Sequence, residues 1–207
     1  LIPHYWELKN FVGLEDMRST IYHSVLIDTV LLRQCYGKKV LPSRPPKEER
    51  KEKGRGAIVF EPEEGIHSNC GVIDVSRYYP SLLKAYNLTP EKEREREGGI
   101  VPELCDYLLK ERLKYDREMR KVAEKYGFDS PEFESIKQKR QVVKDLLNAV
   151  SGFIDMQSSR IYSPEIAEFM RAKAREGLAL MKEKIEEMGL KVIYGDTDGL
   201  VVKAPFE

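Results

Sequence analysis

Three carboxylates stand where chemistry accounts for them better than packing does. Residues 191–203 read KVIYGDTDGLVVK. Two short runs rich in β-branched residues, 191–194 and 200–203, flank Gly195-Asp196-Thr197-Asp198-Gly199. Turn formers between apolar runs predict a β-hairpin. Its tip carries Asp196 and Asp198, two residues apart. Like charges at a tip repel and bury nothing apolar, but hard oxygen ligands suit Mg²⁺. The plainer reading of such a turn, taken alone, is a solvated polar tip.

Residues 71–81 read GVIDVSRYYPS and shift that reading. The pattern over 71–75 predicts a short buried strand with Asp74 inside it. A carboxylate in an apolar strand is costly unless it is paired or bound to metal. Pro80 is expected to end the strand, and Ser81 to open a helix. If the two strands are neighbours, Asp74 and Asp198 converge on one ion, or on two ions ~4 Å apart as in two-metal phosphoryl transfer.

The rest of the chain divides by texture. An apolar helical pattern runs over 17–35, and a Pro/Lys/Glu-rich connector over 42–55. Residues 56–90 read as strand, turn, strand and short helix. Glu91 to Glu97 form a charged connector. A helix is predicted over 101–126, with Leu104, Leu108, Tyr115, Met119 and Val122 near helical spacing. Gly127 ends it, and Ser130 with Pro131 starts the next. That second helix, 131–151, sets Ile136, Val143, Leu147 and Val150 on one face. A short link between two such helices predicts an antiparallel hairpin. Ser163-Pro164 opens a third long helix that runs to Met188, and Gly189 closes it. No internal repeat is visible.

The second helix of the hairpin also has a polar side. Lys137, Arg140, Lys144 and Asn148 are three or four residues apart and stack along it. By default such a row is a solvated charged face.

Three segments in order now resemble the motifs of family B DNA polymerases. Asp74-Val75-Ser76-Arg77-Tyr78-Tyr79-Pro80-Ser81 looks like the first catalytic motif. Tyr194-Gly195-Asp196-Thr197-Asp198 looks like the last. Between them, residues 144–152 (KDLLNAVSG) are similar to the Lys-x-x-x-Asn-Ser-x-Tyr-Gly motif of the fingers. Upstream, Glu61-Pro62-Glu63-Glu64-Gly65-Ile66-His67 resembles the glutamate-proline stretch before the first motif, and residues 108–112 (LLKER) resemble the start of the first fingers helix.

The resemblance implies an α+β fold: an antiparallel palm sheet flanked by helices, with a helical-hairpin fingers subdomain. Residues 1–98 and 153–207 would be palm, and 99–152 fingers. It implies template-directed transfer from a deoxynucleoside triphosphate to a primer 3′-hydroxyl on primer-template DNA. Asp74, Asp198 and Asp196 are the implied catalytic residues. Two Mg²⁺ ions, with Mn²⁺ as a substitute, would be held by Asp74, Asp198 and the Val75 carbonyl. Asp196 would support the site or touch the primer side. Backbone N–H groups of Ser76, Arg77, Tyr78 and Tyr79 would cradle the phosphates, and Arg112, Lys144 and Asn148 would contact the triphosphate from the fingers. Tyr79 would be the steric gate against a 2′-hydroxyl.

The chain departs from the family pattern at several places. Asp116 stands where a Lys is usual, which adds an anion near the phosphates unless Lys114 or Arg117 compensates. Ala149 and Ser151 replace Ser and Tyr, Gly199 replaces Ser, and Arg77-Tyr78 replaces a Ser-Leu pair. The template-contact motif survives only as Gly54-Arg55-Gly56-Ala57. These departures motivate a second reading, a weak or inactive polymerase-like subunit that binds DNA or a partner polymerase. A third is an unrelated metal-dependent phosphohydrolase.

Composition agrees with this without deciding it. The chain has 207 residues, 34% charged and 41% hydrophobic, with 35 basic and 35 acidic residues. A nucleic-acid binder usually carries a basic excess, but an acidic centre with basic flanks makes local sign matter more than the sum. No apolar run approaches the ~20 residues of a membrane span, and no signal peptide pattern is present. The implied location is cytoplasmic and nucleoid-associated, or nuclear in a eukaryote. Cys35, Cys70 and Cys105 read as ordinary buried thiols. Leu1 in place of Met suggests an excised piece. No exonuclease motif is recognisable before residue 55, and a thumb would lie beyond Glu207, so those regions or a partner subunit are expected elsewhere.

Overall fold

A computed structural model describes residues 2–36, 58–90 and 99–204. The 42–55 connector, the Gly54-Arg55-Gly56-Ala57 remnant and the Glu91 to Glu97 connector lie outside the described residues. The elements run α1 (Ile2–Val12), a 3-10 turn (Arg18–Ile21), α2 (His23–Cys35), β1 (Val59–Phe60), β2 (Cys70–Asp74), α3 (Tyr78–Ala85), α4 (Ile100–Tyr126), α5 (Pro131–Ile154), α6 (Pro164–Glu187), β3 (Lys191–Asp196) and β4 (Gly199–Lys203). The four strands make one antiparallel sheet in the order β1-β3-β4-β2.

The long helices start and stop where their end residues dictate. Ser130 caps α5 by accepting from the Phe133 amide, and Ser163 caps α6 by accepting from the Ile166 amide. Each is followed by proline at the first helical position, where its missing N–H costs nothing. Gly127 and Gly189 take the positive φ that follows α4 and α6.

Two apolar cores organise these elements. The larger joins α1, α2 and α3 to one end of α4 and α5 and to the first half of α6. The smaller joins the second half of α6, through Leu178 and Ile185, to Leu200 and Val202 of the sheet. Helix α6 is therefore the beam between them. The α4–α5 hairpin is anchored at its root only. Buried residues of α4 are confined to 100–108 and those of α5 to 142–154. Beyond that the hairpin is held by half-buried contacts and, near its tip, by an edge-to-face pair of Phe128 and Phe133 at 5.3 Å.

Several expectations are corrected. The 17–35 pattern is not one helix: it breaks at Tyr22, whose extended backbone separates the 3-10 turn from α2. Helix α1 has no counterpart in the pattern read from the sequence. Strand β2 is not buried: all five residues are exposed, with Val72 at 75%, because among the described residues β2 packs on β4 while the covering helix α6 lies over β3. Helix α3 begins at Tyr78 rather than Ser81, since Pro80 falls in its first turn, where no N–H is needed. Cys35 and Cys105 are buried but Cys70 is exposed. No helix among the described residues is long and apolar enough to cross a membrane.

Candidate functional site: a sheet end and a helical hairpin

Strand register places the carboxylates. In the sheet Asp74 pairs with Gly199 across β2–β4, and Asp196 pairs with the same Gly199 across β3–β4. Directly paired residues share a face, so Asp74 and Asp196 flank a residue with no side chain. Asp74 Oδ1 occupies the space beside it, 3.6 Å from where a Cβ on Gly199 would sit. The turn is tight. Thr197 is left-handed at φ 55°, and the Asp198 amide donates to the Asp196 carbonyl at 2.6 Å, which is γ-turn geometry. The Val75 amide donates to the Asp198 carbonyl at 2.8 Å, which ties the end of β2 to the turn. Gly195 is required for a steric reason: a Cβ there would meet Leu200 and Phe60 side chains, each at 2.6 Å.

Burial, then Asp74, then Asp196 raise the Asp198 carboxyl above its ordinary value. Carboxylates crowded in this way favour a cation. Among the described residues no three His, Cys, Asp or Glu side chains group closely enough to hold a metal by themselves. That donor set fits Mg²⁺, which takes one or two carboxylates and completes its shell with water and substrate phosphates.

The turn after β2 supplies the bend that brings Tyr79 round. Arg77 is left-handed (φ 61°, ψ 36°) and precedes α3 without a side-chain cap. The amides of Ser76, Arg77, Tyr78 and Tyr79 lie before or in the first turn of α3, where no intrahelical carbonyl accepts from them, and none donates to a backbone carbonyl of the surrounding turns among the described residues. The two tyrosines then diverge in role. Tyr78 packs onto α6, donating to the Ala174 carbonyl at 3.0 Å over Gly177, where any Cβ would collide with its hydroxyl. Tyr79 is half-buried against the larger core. Burial chiefly raises its phenol; Asp198 and Asp196 raise it further, while Arg171 and Arg175 oppose them.

The cations lie on the hairpin. Arg112 and Lys144 are equidistant from Phe128 at the tip, as are Asp116 and Arg140. Equal rise per residue along two antiparallel helices puts each couple at one level. Arg140 Nε donates to Asp116 Oδ1. Arg77 Nη2 lies 3.8 Å from Asp116 Oδ2, which links the β2 turn to the hairpin. Arg112 is half-buried, and burial, then Arg77 and Arg140, lower its pKa. Lys144 is exposed, without an ion-pair partner among the described residues. Asn148 is exposed and lines a cleft with His23, Gly152, Phe153 and Met156. Lys114 pairs with Glu111, and Arg117 folds back onto the Leu113 carbonyl, so neither offsets Asp116. The role of Arg140 was not legible from motif matching; its symmetry with Asp116 about the tip was the available signal.

An acidic sheet end tied to a cationic hairpin suits the handling of a metal-bound polyanion. The relatives point the same way. The model of DNA polymerase family B matches residues 16–93 and 91–207, and the chain belongs to that family. The DNA polymerase of Archaeoglobus fulgidus is 28% identical over 219 residues, covering 98% of this chain and 27% of the relative. DNA polymerase 2 of Aeropyrum pernix is 34% identical over 179 residues, covering 77% of this chain and 22% of the relative. Among solved structures, the family B DNA polymerase from the hyperthermophilic archaeon Pyrobaculum calidifontis superposes with a TM-score of 0.76 at 30% identity, over 99% of this chain and 29% of that one. The chain thus spans about a quarter of the length of the curated relatives it matches.

Proposed function

We propose that this chain is the palm-and-fingers part of a template-directed DNA polymerase, adding deoxynucleotides to a primer 3′-hydroxyl. Residues 1–98 and 153–207 would form the palm and 99–152 the fingers. The observation that carries this reading is the shared register at Gly199, which sets Asp74 beside the Asp196-Thr197-Asp198 turn.

Asp74 and Asp198, with the Val75 carbonyl, would hold Mg²⁺. When two ions are bound, one would lower the pKa of the attacking hydroxyl and the other would neutralise the leaving pyrophosphate. The chain's own residues do the rest. The free backbone N–H groups of residues 76–79 donate to phosphate oxygens. Arg112, Lys144 and Asn148 bind the triphosphate from the hairpin, Lys144 as a point charge and Arg112 as a fork. Asp196, held by the Thr197 hydroxyl at 2.7 Å, lies toward the primer. Tyr79 blocks a ribose 2′-hydroxyl.

Primer extension by the whole protein that contains this chain tests this reading. The wild type should add deoxynucleotides to a primed template, and Asp74→Ala should not. A second reading, a weak or inactive DNA-binding subunit, is favoured by one observation: Asp116 draws Arg77 and Arg140 into ion pairs. Template binding without extension by the whole protein that contains this chain would select it.

A further inference from the structure

Where the β2 turn meets the hairpin, three guanidinium groups surround one carboxylate. Arg77 comes from the turn, Arg112 and Asp116 from α4, and Arg140 from α5. Asp116 accepts from Arg140 and faces Arg77. Arg112 has no carboxylate partner among the described residues; its neighbours are two cations and that same Asp116. Three positive charges against one negative leave a surplus of two. The cluster is partly withdrawn from water: the Arg77, Asp116 and Arg140 side chains are 28%, 23% and 31% exposed. Two of its donors, Arg77 Nε and Arg112 Nε, are buried with no hydrogen-bond partner. Buried donors are rarely left unsatisfied, and withdrawn like charges are costly without a counter-ion. The cluster is short of an anion with several acceptor oxygens.

We propose, resting on the polymerase reading above, that this cluster binds the phosphate chain of the incoming nucleotide, and that Asp116 is a resting counter-ion which the phosphates displace. A phosphate chain carries more charge than Asp116 and presents oxygens to forked donors from several directions. Its arrival satisfies the two orphaned Nε groups and frees Asp116 from Arg140. Arg77 and Arg140 are thereby phosphate-binding residues alongside Arg112. The tie between the β2 turn and the hairpin, made through Asp116 at rest, is made through the phosphates once nucleotide is bound. Asp116 thus sets how tightly the site takes a polyphosphate, and the anion at that position is a brake on affinity.

Inorganic tripolyphosphate, titrated calorimetrically into the protein in EDTA at low fixed ionic strength, tests this. Chelation removes any metal-mediated contribution from the sheet carboxylates. Asp116→Asn keeps the side-chain shape and removes the competing charge, and should bind several-fold tighter. A gain in affinity cannot come from misfolding. Arg140→Gln should bind about tenfold more weakly, the value of one charge-assisted hydrogen bond, and with a shallower salt dependence. The proposal is overturned if Asp116→Asn binds no tighter, or if Arg140→Gln binds as wild type does. It is equally overturned if wild-type protein takes up no tripolyphosphate. Primer extension by the whole protein that contains this chain, with and without the same substitutions, separates the two readings. Extension with tripolyphosphate affinities unaltered by either substitution removes the Asp116 exchange and leaves the polymerase reading. Tripolyphosphate affinities that shift as expected without extension remove the polymerase reading and leave an anion site.

Discussion

The carboxylates and the cations of this site are held in different ways. Asp74, Asp196 and Asp198 are placed by main-chain bonds: the β2–β4–β3 register, the γ-turn at Thr197, and the Val75 amide on the Asp198 carbonyl. The cations are placed by side chains on two helices that share a core only at their root. A main-chain scaffold tolerates exchange of its side chains, whereas an ion-pair network is rewired by each one. The ion pair of Arg77 with Asp116 spans the turn and the hairpin and so joins the two kinds of scaffold.

Substitutions that break one side at a time sharpen the contrast. Asp74→Ala or Asp198→Ala should give the largest effect, loss of primer extension beyond the ~10²–10³-fold that one transition-state donor is worth, with circular dichroism unchanged. A mutant that extends primers at a tenth of the wild-type rate would refute the metal-ligand role. Lys144→Ala should lower kcat/KM for nucleotide by about 10–100-fold, through both a higher KM and a lower kcat, because phosphate contacts bind and orient. Steady-state kinetics read this, and an unchanged KM would move Lys144 off the phosphates.

Tyr79→Val and Tyr78→Ala test the turn between the two sides. The first should admit ribonucleotides in a primer-extension competition. The second should leave sugar choice alone, since the Tyr78 hydroxyl is committed to α6. If Tyr79→Val keeps the preference for deoxynucleotides, the gate lies elsewhere.

The smallest effect is on stability. The folded-state pKa of Asp198 is raised, so its ionised form is less stable folded than unfolded. That penalty is fully present above the raised pKa and relieved as pH falls through it. Asp198→Asn should therefore raise the melting temperature of metal-free protein at neutral pH, by about 1–3 °C given the exposure of the site. The gain should shrink in acid and reverse sign relative to wild type when Mg²⁺ and nucleotide are added. Differential scanning calorimetry in EDTA at pH 7 and pH 4 measures it.

The local structure around this site was legible in part from the residues, for physical reasons that differ by region. Turn formers between β-branched runs specify the hairpin, and Ser130, Pro131, Ser163 and Pro164 specify helix starts through local backbone chemistry. What was not readable depends on neighbours. Strand β2 is exposed although four of its five residues are uncharged, because α6 covers β3 and not β2. Pro80 could end a strand or occupy a helix's first turn, and only the left-handed Arg77 decides between them. The pairing of Asp116 with Arg140 and Arg77 depends on the level at which two helices and a turn meet.

Nucleotide addition at this site requires Asp74 and Asp198 to act together on bound metal. A double-mutant cycle in Mn²⁺ affinity, read by electron paramagnetic resonance with deoxynucleoside triphosphate present, tests it most directly. Asp74→Asn and Asp198→Asn should each weaken Mn²⁺ binding, and the double mutant should lose little more than either alone, because the two act as a unit. Strictly additive losses, or full affinity in either single mutant, would contradict the shared site.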